Sequence, residues 1–281
     1  MKITIWGSRG SLPAPSLDNN EFGGNTSCVS VQQGDAIIIL DAGSGIRRLG
    51  QSFPPGITRV DILLTHLHLD HIMGLGFFLP LYNPNMQVNI WGPTGYKESL
   101  FTRLQRYLSP PLFPIHLKEL PSQPKIFEIN ESRFDIGPFH IQSSYICHPG
   151  PTIGFRIENG HSVLTYLPDH EPALGAAHFP REPEWTSGYE LARNADLLLH
   201  DAQYTTEEYR PRIGWGHSTM DDALQFAELA AVKKLLFFHH DPSHTDTQLH
   251  YQLEHALKNK HFSFEAGIAA EGEVIELADH S

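Results

Sequence analysis

Short apolar runs separated by turn residues dominate the first half of the chain. The runs KITIWG, SCVSVQQG and AIIILDAG are rich in β-branched residues, which favour strands. In VSVQQGDAIII, two such runs flank Gly34-Asp35, and this arrangement predicts a β-hairpin. Further strands are predicted for Val60–Leu64, QVNIWGP, Ile126–Ile129, Phe139–Ile146, Thr152–Ile157 and His161–Leu167.

Helical periodicity appears later in the chain. TGYKESLFTRLQRYLS places Leu100, Leu104 and Leu108 on one face of a helix, with Thr94 as a candidate N-cap. HIMGLGFFLPLY predicts a shorter helix that ends at Pro80. Strands and helices then alternate in ADLLLHDA, TMDDALQFAELAAV, KKLLFFHHD and DTQLHYQLEHALK, with a last strand near GEVIEL. The pattern predicts an α/β chain with a strand-rich first half.

Five predicted strands end in aspartate or histidine: IIILDAG, ILLTHLHLDH, VLTYLPDH, LLLHDA and LLFFHHD. In open α/β sheets the ligand crevice lies outside the carboxyl ends of the strands. An aspartate after one strand is usually a turn or a helix cap. Five such ends, all carrying residue types that bind metal, indicate a shared site.

Composition limits the partners and the compartment. The 281 residues carry a formal net charge of −12, which argues against a long nucleic acid as partner because such binding relies on Lys and Arg. No apolar run is long enough to span a membrane, and the N-terminus lacks the features of a secretory signal. Two cysteines, Cys28 and Cys147, cannot form a disulfide framework, so we expect a cytoplasmic protein.

The densest group of metal-capable side chains follows the apolar run of Val60–Leu64. His66 and His68 are two positions apart, so on an extended backbone their side chains point the same way. Asp70 and His71 follow in a turn, and the group can present two histidines to one ion and an aspartate with a histidine to another. A solvated, His-rich loop is the alternative, but imidazole and carboxylate are the usual zinc ligands.

HLHLDH resembles the H-x-H-x-D-H signature of the metallo-β-lactamase superfamily. The resemblance implies one domain over residues 1–281, folded as a four-layer αβ/βα sandwich of two mixed β-sheets flanked by helices. It also implies two divalent metal ions between the sheets, zinc or alternatively manganese. CHPG, YLPDH and LLFFHHDP resemble the later ligand motifs of the family.

These motifs imply two ligand sets joined by one carboxylate. One ion would be held by His66, His68 and His148, the other by Asp70, His71 and His239, with Asp169 bridging both. His240 neighbours His239 on a strand, so only one of the two can face the site, and the motif favours His239.

Two further stretches, GHSTMDD and LLLHDAQYT, resemble the phosphodiesterase branch, which includes tRNA 3′-processing endonuclease and small-molecule phosphodiesterases. The resemblance implies that His217 acts as acid and phosphate ligand, that Asp201 orients it, and that Asp70 also helps to orient the nucleophile. Taken without the family, Ser218-Thr219 followed by acidic residues could be only a helix cap.

The N-terminal stretches WGSRGSLPAP and FGGNTSCV resemble the branch that cleaves cyclic phosphates. Arg9 is therefore a candidate phosphate contact, with an exposed structural arginine as the alternative. Between Asp169 and His217 the chain lacks the glycine-rich basic arm of the tRNA endonuclease. We therefore expect a small cyclic phosphate or cyclic nucleotide as substrate. A tRNA 3′-processing endonuclease and a non-catalytic metal sensor remain the alternatives.

The segment Ser109–Pro124 contains five prolines and is predicted to be irregular. Together with LGFFLPLYNP it could form a lid over the site, a homodimer contact, or a simple surface loop over the core.

Overall fold

Two seven-stranded β-sheets form the centre of the structure, a computed structural model that describes residues 1–176 and 178–278. The first sheet contains β1 (Lys2–Gly7), β2 (Cys28–Gln33), β3 (Ala36–Leu40), β4 (Arg59–Leu63), β5 (Gln87–Pro93), β6 (Lys125–Ile129) and β14 (Val274–Glu276). The second contains β7 (Ser132–Ile136), β8 (Phe139–Tyr145), β9 (Ile153–Glu158), β10 (Val163–Leu167), β11 (Leu197–Asp201), β12 (Lys234–Phe238) and β13 (Glu265–Ile268).

Both sheets are mixed. The first has the order β14-β1-β2-β3-β4-β5-β6, with parallel pairing from β3 to β6 and antiparallel pairing elsewhere. The second has the order β13-β12-β11-β10-β9-β8-β7, with parallel pairing from β10 to β13. The helices are α1 (Ile46–Gln51), α2 (Leu69–Ile72), α3 (Leu100–Tyr107), α4 (Tyr189–Ala192), α5 (Thr206–Tyr209), α6 (Met220–Leu229) and α7 (Asp246–Leu257). Within the described ranges, no helix is long and apolar enough to cross a membrane.

The central strands are buried on both faces. On β3, Ile38 and Leu40 pack into the core between the sheets, whereas Ile37 and Ile39 pack into the core under α1 and α3. On β11 the same alternation places Leu198 in the core under α4, α6 and α7. Strands covered on both faces read as continuous apolar runs, as IIIL and LLL do. The predicted four-layer αβ/βα sandwich is confirmed.

This topology gathers the strand ends that the sequence singled out. Asp41 and His66 follow the parallel neighbours β3 and β4 of the first sheet. Asp169, Asp201 and His239 lie at the ends of β10, β11 and β12, which are parallel neighbours in the second sheet. Because carboxyl ends of parallel neighbours share one edge, both sheets present their polar residues to the same crevice.

The predicted hairpin is confirmed, because β2 and β3 pair antiparallel around Gly34-Asp35 with Gln33 opposite Ala36. Two strands, β7 and β13, were not predicted. SRFDI is short and strongly polar, and EAGI contains a glycine, so neither carries a clear strand pattern.

The helix predicted in HIMGLGFFLPLY is wrong. α2 ends at Ile72, and two 3-10 turns follow at Leu75–Phe77 and Leu79–Tyr82. Pro80 lies in the first turn of the second one, where its missing N–H costs nothing, rather than ending a helix.

The helix that carries Leu100 and Leu104 exists, but it starts later than predicted. Its N-cap is Ser99, whose hydroxyl accepts from the Thr102 amide at 3.2 Å, so the predicted cap at Thr94 is wrong.

The proline-rich segment is irregular, as predicted, apart from a 3-10 turn at Leu117–Glu119. Phe113, Leu117 and Leu120 are buried in the core under α3, so the segment packs over the first sheet. Leu112 is exposed and borders a cavity described below.

The inter-sheet core should dominate stability. Leu164→Ala removes a fully buried side chain from β10, and we expect a loss of about 2–5 kcal/mol in the free energy of unfolding, measured by urea denaturation. Leu17→Ala, at a leucine that is 88% exposed, should change it by less than about 0.5 kcal/mol. Equal losses in the two variants would contradict this assignment of the core.

Candidate metal centre

Donor atoms of seven side chains meet at the shared edge of the two sheets. They form two groups, and within each group the donor atoms lie within 4.8 Å of one another. The first group is His66, His68, His148 and Asp169, and the second is Asp70, His71, His239 and the same Asp169. These are the two sets that the family resemblance implied.

Asp169 is the member common to both groups. It lies just after β10 and is almost completely buried. Its Oδ1 is 3.0 Å from His71 Nε2, and its Oδ2 is 3.3 Å from His239 Nε2. The same Oδ2 lies 3.8 Å from the Nε2 atoms of both His66 and His148. One carboxylate therefore faces imidazole nitrogens of both sets.

Asp70, in the first turn of α2, faces the second group. Its Oδ2 is 3.1 Å from His239 Nε2 and 3.3 Å from His71 Nε2. The same oxygen accepts a hydrogen bond from the Ser11 amide at 2.8 Å, which ties the loop after β1 to the cluster.

A buried carboxylate at the end of β3 orients His71. Asp41 Oδ2 lies 2.8 Å from His71 Nδ1 and also accepts from the Tyr166 hydroxyl at 3.0 Å. Asp41 further accepts from the amide and the hydroxyl of Thr65. With its proton on Nδ1, His71 turns the lone pair of Nε2 toward the cluster, as a metal ligand must.

Carbonyl oxygens orient two more rings. His148 Nδ1 is 2.8 Å from the Gly216 carbonyl, and His239 Nδ1 is 2.9 Å from Gln203 Oε1. Because a carbonyl oxygen only accepts, both rings carry their proton on Nδ1 and direct Nε2 into the cluster.

Several of these donor atoms have no other partner. Among the described residues, His66 Nε2, His71 Nε2 and Asp169 Oδ1 are buried without a hydrogen bond of acceptable geometry. Buried polar atoms are normally satisfied, so three such atoms facing one space indicate that something else binds them. Histidine nitrogens and carboxylate oxygens are ligands of zinc, and the cluster fits a divalent cation.

The electrostatics of the cluster favour ionised carboxylates. Burial alone would raise the pKa of Asp169, but His239, His71 and His66 hold it well below its usual value. Burial likewise opposes ionisation of Asp70, and His71 with His239 lowers its pKa. Both carboxylates are therefore negative at neutral pH and available to a cation.

Burial keeps two imidazoles of the first ligand group neutral. Burial lowers the pKa of His148 to about 4 and lowers that of His66 well below its usual value. A neutral imidazole is the form that binds metal, so these two rings need not release a proton to do so.

Next to the cluster, His217 forms a hydrogen-bonded pair with Asp201. His217 Nδ1 is 2.7 Å from Asp201 Oδ2. The carboxylate is fully buried, and its Oδ1 accepts from the amides of Ser218 and Gln203 at 2.9 and 3.0 Å. The His217 ring stacks on that of His239 with centroids 5.0 Å apart, so the pair borders the second ligand group.

The helix cap expected after His217 is present as well. Thr219 is the N-cap of α6, which begins at Met220, and its hydroxyl accepts a hydrogen bond from the Asp222 amide at 3.0 Å. His217 itself precedes the helix by three residues and is free to face the crevice.

The structure does not bring Arg9 to the cluster. Its side chain is fully buried, and the guanidinium donates to the carbonyls of Gly23, His244 and Asp241 at 2.7, 2.6 and 3.1 Å. Arg9 therefore joins the N-terminal loop to the loop after β12. A guanidinium engaged in this way is not available to a phosphate, which corrects the expectation that it binds substrate.

Of the two adjacent histidines, His239 is the one in the cluster. His240 is buried on the opposite side, and its Nε2 donates to the Ala269 carbonyl at 3.0 Å. Gly10 packs against the His239 ring so closely that a Cβ at this position would lie 2.4 Å from Nδ1. This close approach is a local reason for glycine in the GSRGS stretch.

Three orienting groups had no role in the sequence interpretation: Asp41, Gln203 and the carbonyl of Gly216. Asp41 follows one of the five predicted strands that end in aspartate or histidine, so its place near the site was predictable. Its hydrogen bond to His71 was not predictable from that position. Gln203 comes two residues after Asp201 without any motif of its own. A backbone carbonyl leaves no trace in a sequence.

Known proteins share this architecture. The family model described as a β-lactamase superfamily domain matches residues 37–240. Ribonuclease Z of Thermoplasma acidophilum is 27% identical over 98% of this chain and 96% of its own length. The metallo-β-lactamase fold protein YhfI from Bacillus subtilis has a TM-score of 0.71 at 21% identity, covering 98% of both chains. The short form of human tRNase Z has a TM-score of 0.67 at 22% identity, covering 99% of this chain and 100% of its own.

The shared position of Asp169 leads to a prediction for zinc binding. Isothermal titration of metal-free protein should give two ions per chain. Asp169→Asn should weaken both binding events, because its carboxylate faces both groups, whereas His148→Ala should weaken only one. His140→Ala, at an exposed histidine paired with Asp135, is the control and should leave both unchanged. Loss of a single event in Asp169→Asn would contradict a shared carboxylate.

Proposed function

The chain belongs to the β-lactamase superfamily, and on this basis we propose that it is a metal-dependent phosphodiesterase acting on a small cyclic phosphate or cyclic nucleotide. The observation that carries the proposal is the Asp201–His217 pair beside the histidine and aspartate cluster. Hydrolysis of a phosphodiester needs an activated water and a proton for the leaving oxygen. A histidine and aspartate cluster that fits divalent cations, next to a histidine held by a carboxylate, supports both requirements.

In this proposal the cluster holds two divalent ions, zinc or alternatively manganese. Their ligands are the two groups already described, with Asp169 common to both. When bound, such ions supply Lewis acidity and lower the pKa of coordinated water. Asp70 is a ligand whose second role is to orient the nucleophile, and the Ser11 amide fixes its carboxylate.

His217 is the proposed general acid. In its protonated form, Nδ1–H donates to Asp201, and Nε2–H is left to donate to the leaving oxygen. Transfer of the Nε2 proton as the P–O bond breaks leaves a neutral imidazole and an alcohol. Asp201 holds the ring orientation and stabilises the imidazolium before transfer, and two backbone amides hold Asp201 in turn.

The surroundings of the cluster support a small substrate. A cavity of about 750 Å³ adjoins His66 and His68, a size typical of small-molecule sites. Its wall is largely apolar and includes Tyr107 and Leu112. Among its charged residues Lys97, Arg103 and Arg106 outnumber Glu98, and the resulting positive charge suits a phosphate ester. The net charge of −12 further disfavours a long polyanion.

A tRNA 3′-processing endonuclease is the second candidate. What favours it is the likeness to proteins named ribonuclease Z, including the one of Thermoplasma acidophilum. The same ligand groups and the same acid would serve that reaction, because both substrates offer a phosphodiester. A metal sensor without catalysis is the third reading, and zinc binding without any phosphodiester turnover would support it.

The acid role of His217 predicts a dependence on the leaving group. His217→Ala should lower kcat by about 100–10,000-fold for a cyclic nucleotide, whose leaving oxygen is an alkoxide. The loss should be much smaller for bis(p-nitrophenyl) phosphate, because p-nitrophenolate leaves without protonation. Steady-state kinetics of zinc-loaded enzyme measure both, with His140→Ala as the control variant. Equal losses on the two substrates would exclude His217 as the acid.

The substrate class predicts the outcome of a parallel screen. Zinc-loaded protein is incubated with cyclic AMP, phosphoribosyl cyclic phosphate and pre-tRNA, at low and at raised salt. We expect turnover of a cyclic substrate with little dependence on salt, because few phosphates are neutralised by the protein. Cleavage of pre-tRNA alone, falling steeply as salt rises, would replace the small-substrate proposal with the endonuclease.

A further inference from the structure

Glu171 is a buried carboxylate that the proposed mechanism does not use. It lies two residues after Asp169 and is only 2% exposed. Its Oε1 accepts from the Tyr209 hydroxyl at 2.7 Å and from the Gly214 amide at 3.0 Å. Its Oε2 accepts from the Gly216 amide at 2.9 Å. In the part of the chain that the structure describes, no Lys or Arg forms an ion pair with Glu171. The hydrogen bonds from Tyr209, Gly214 and Gly216 therefore stabilise its buried carboxylate.

The carboxylate is bound by Tyr209, at the end of α5, and by the loop that follows, which starts with a 3-10 turn at Arg210–Arg212. Gly214 and Gly216 both have positive φ angles, +85° and +86°, a conformation that favours glycine. Their two amides converge on one carboxylate in this way. Trp215, between them, is 59% exposed and points away from the interior. The fold of this loop therefore depends on Glu171 more than on apolar packing.

This loop in turn contacts one histidine of the site, His148, and leads directly into another, His217. The Gly216 carbonyl accepts from His148 Nδ1 at 2.8 Å, and the next residue is His217. A Cβ on Gly216 would lie 2.3 Å from His148 Nδ1, so loop and ligand are in close contact. The backbone amide of Glu171 also donates to the Cys147 carbonyl at 3.0 Å, next to His148.

We propose that Glu171 is a positioning residue, which holds residues 209–216 so that His148 faces the other ligands of its group and His217 faces the leaving oxygen. The part that concerns His217 rests on the proposed phosphodiesterase function, whereas the part that concerns His148 needs only metal binding. One carboxylate thereby couples the orientation of a ligand to that of the acid.

Glu171→Gln tests this coupling with little change of volume. The amide group offers one acceptor oxygen, and its NH₂ faces backbone and phenol donors that then lose their acceptor. We expect the Gly214–Gly216 turn to loosen and both histidines to lose their fixed orientation. Groups that orient ligands typically change metal affinity or activity by about 10–100-fold when they are replaced.

The kinetic measurement compares cyclic AMP with bis(p-nitrophenyl) phosphate. Glu171→Gln should lower kcat by about 10–100-fold on cyclic AMP and clearly less on the p-nitrophenyl ester, because only the alkoxide needs His217. In the double variant with His217→Ala, the additional loss on cyclic AMP should disappear. If Glu171 only stabilises the fold, Glu171→Gln should lower kcat by the same factor on both substrates, and that result would overturn the proposal.

The matched control is Asp61→Asn. Asp61 is also a buried carboxylate, but it accepts from Arg59, Asn89 and Trp91 within the first sheet. This variant should have a lower free energy of unfolding, but the ratio of its kcat on cyclic AMP to its kcat on bis(p-nitrophenyl) phosphate should not change. If Glu171→Gln does not fold, Tyr209→Phe removes one donor from the same carboxylate. It should change the ratio in the same direction by a smaller factor, and an unchanged ratio would count against the proposal.

Zinc affinity and hydrogen exchange keep the two proposals separable. Glu171→Gln should weaken one zinc-binding event by about 10-fold or more and speed amide exchange at residues 214–217, and Asp61→Asn should do neither. If wild-type protein hydrolyses neither ester, the proposed function fails, and these two measurements alone decide the role of Glu171 toward His148. Unchanged zinc affinity and unchanged exchange would overturn that role.

Discussion

The site depends on the contacts between one buried carboxylate, that of Asp169, and the imidazole rings around it. Asp169 lies between the two sheets, where an isolated negative charge would be costly. His66, His71, His148 and His239 surround it. Among the described residues, the Nε2 atoms of His66 and His71 and the Oδ1 atom of Asp169 are buried there without a hydrogen-bond partner. The surrounding imidazoles lower the pKa of Asp169 despite its burial, and a cation bound in the cluster would offset the negative charge of its carboxylates.

Three of the five imidazole rings of the cluster are oriented by contacts from different parts of the fold. The end of β3 contributes Asp41 to His71, the chain after β11 contributes Gln203 to His239, and the loop before α6 contributes the Gly216 carbonyl to His148. The ligand geometry is therefore a property of the sandwich as a whole. The His217–Asp201 pair depends on the same framework. Asp201 is the last residue of β11, and β11 pairs with β10 and β12, which precede Asp169 and His239.

The sequence predicted those features that local patterns encode. Apolar runs covered on both faces gave the strands, and their terminal aspartates and histidines gave the donor set, with His239 preferred over His240. Features set by distant contacts were not predictable. Arg9 looks like a phosphate ligand until its contact with residues more than 200 positions away is known. Glu171 has no motif, because its partners are a phenol and two backbone amides on a remote loop. Pro80 predicts the end of a helix, although a 3-10 turn accepts proline in its first positions equally well.

In the proposed mechanism the cluster and His217 would contact only the phosphodiester group, so they would not determine the size of the substrate. Selection by size must come from the surfaces around them. One such surface is the cavity with Tyr107, Lys97 and Arg103, and another is the loop before His217, in which Trp215 is exposed. Under the proposed function, a protein similar to those named ribonuclease Z would hydrolyse a different ester because the surfaces around the cluster differ. We therefore expect these surfaces, rather than the ligand groups, to distinguish this chain from the proteins named ribonuclease Z.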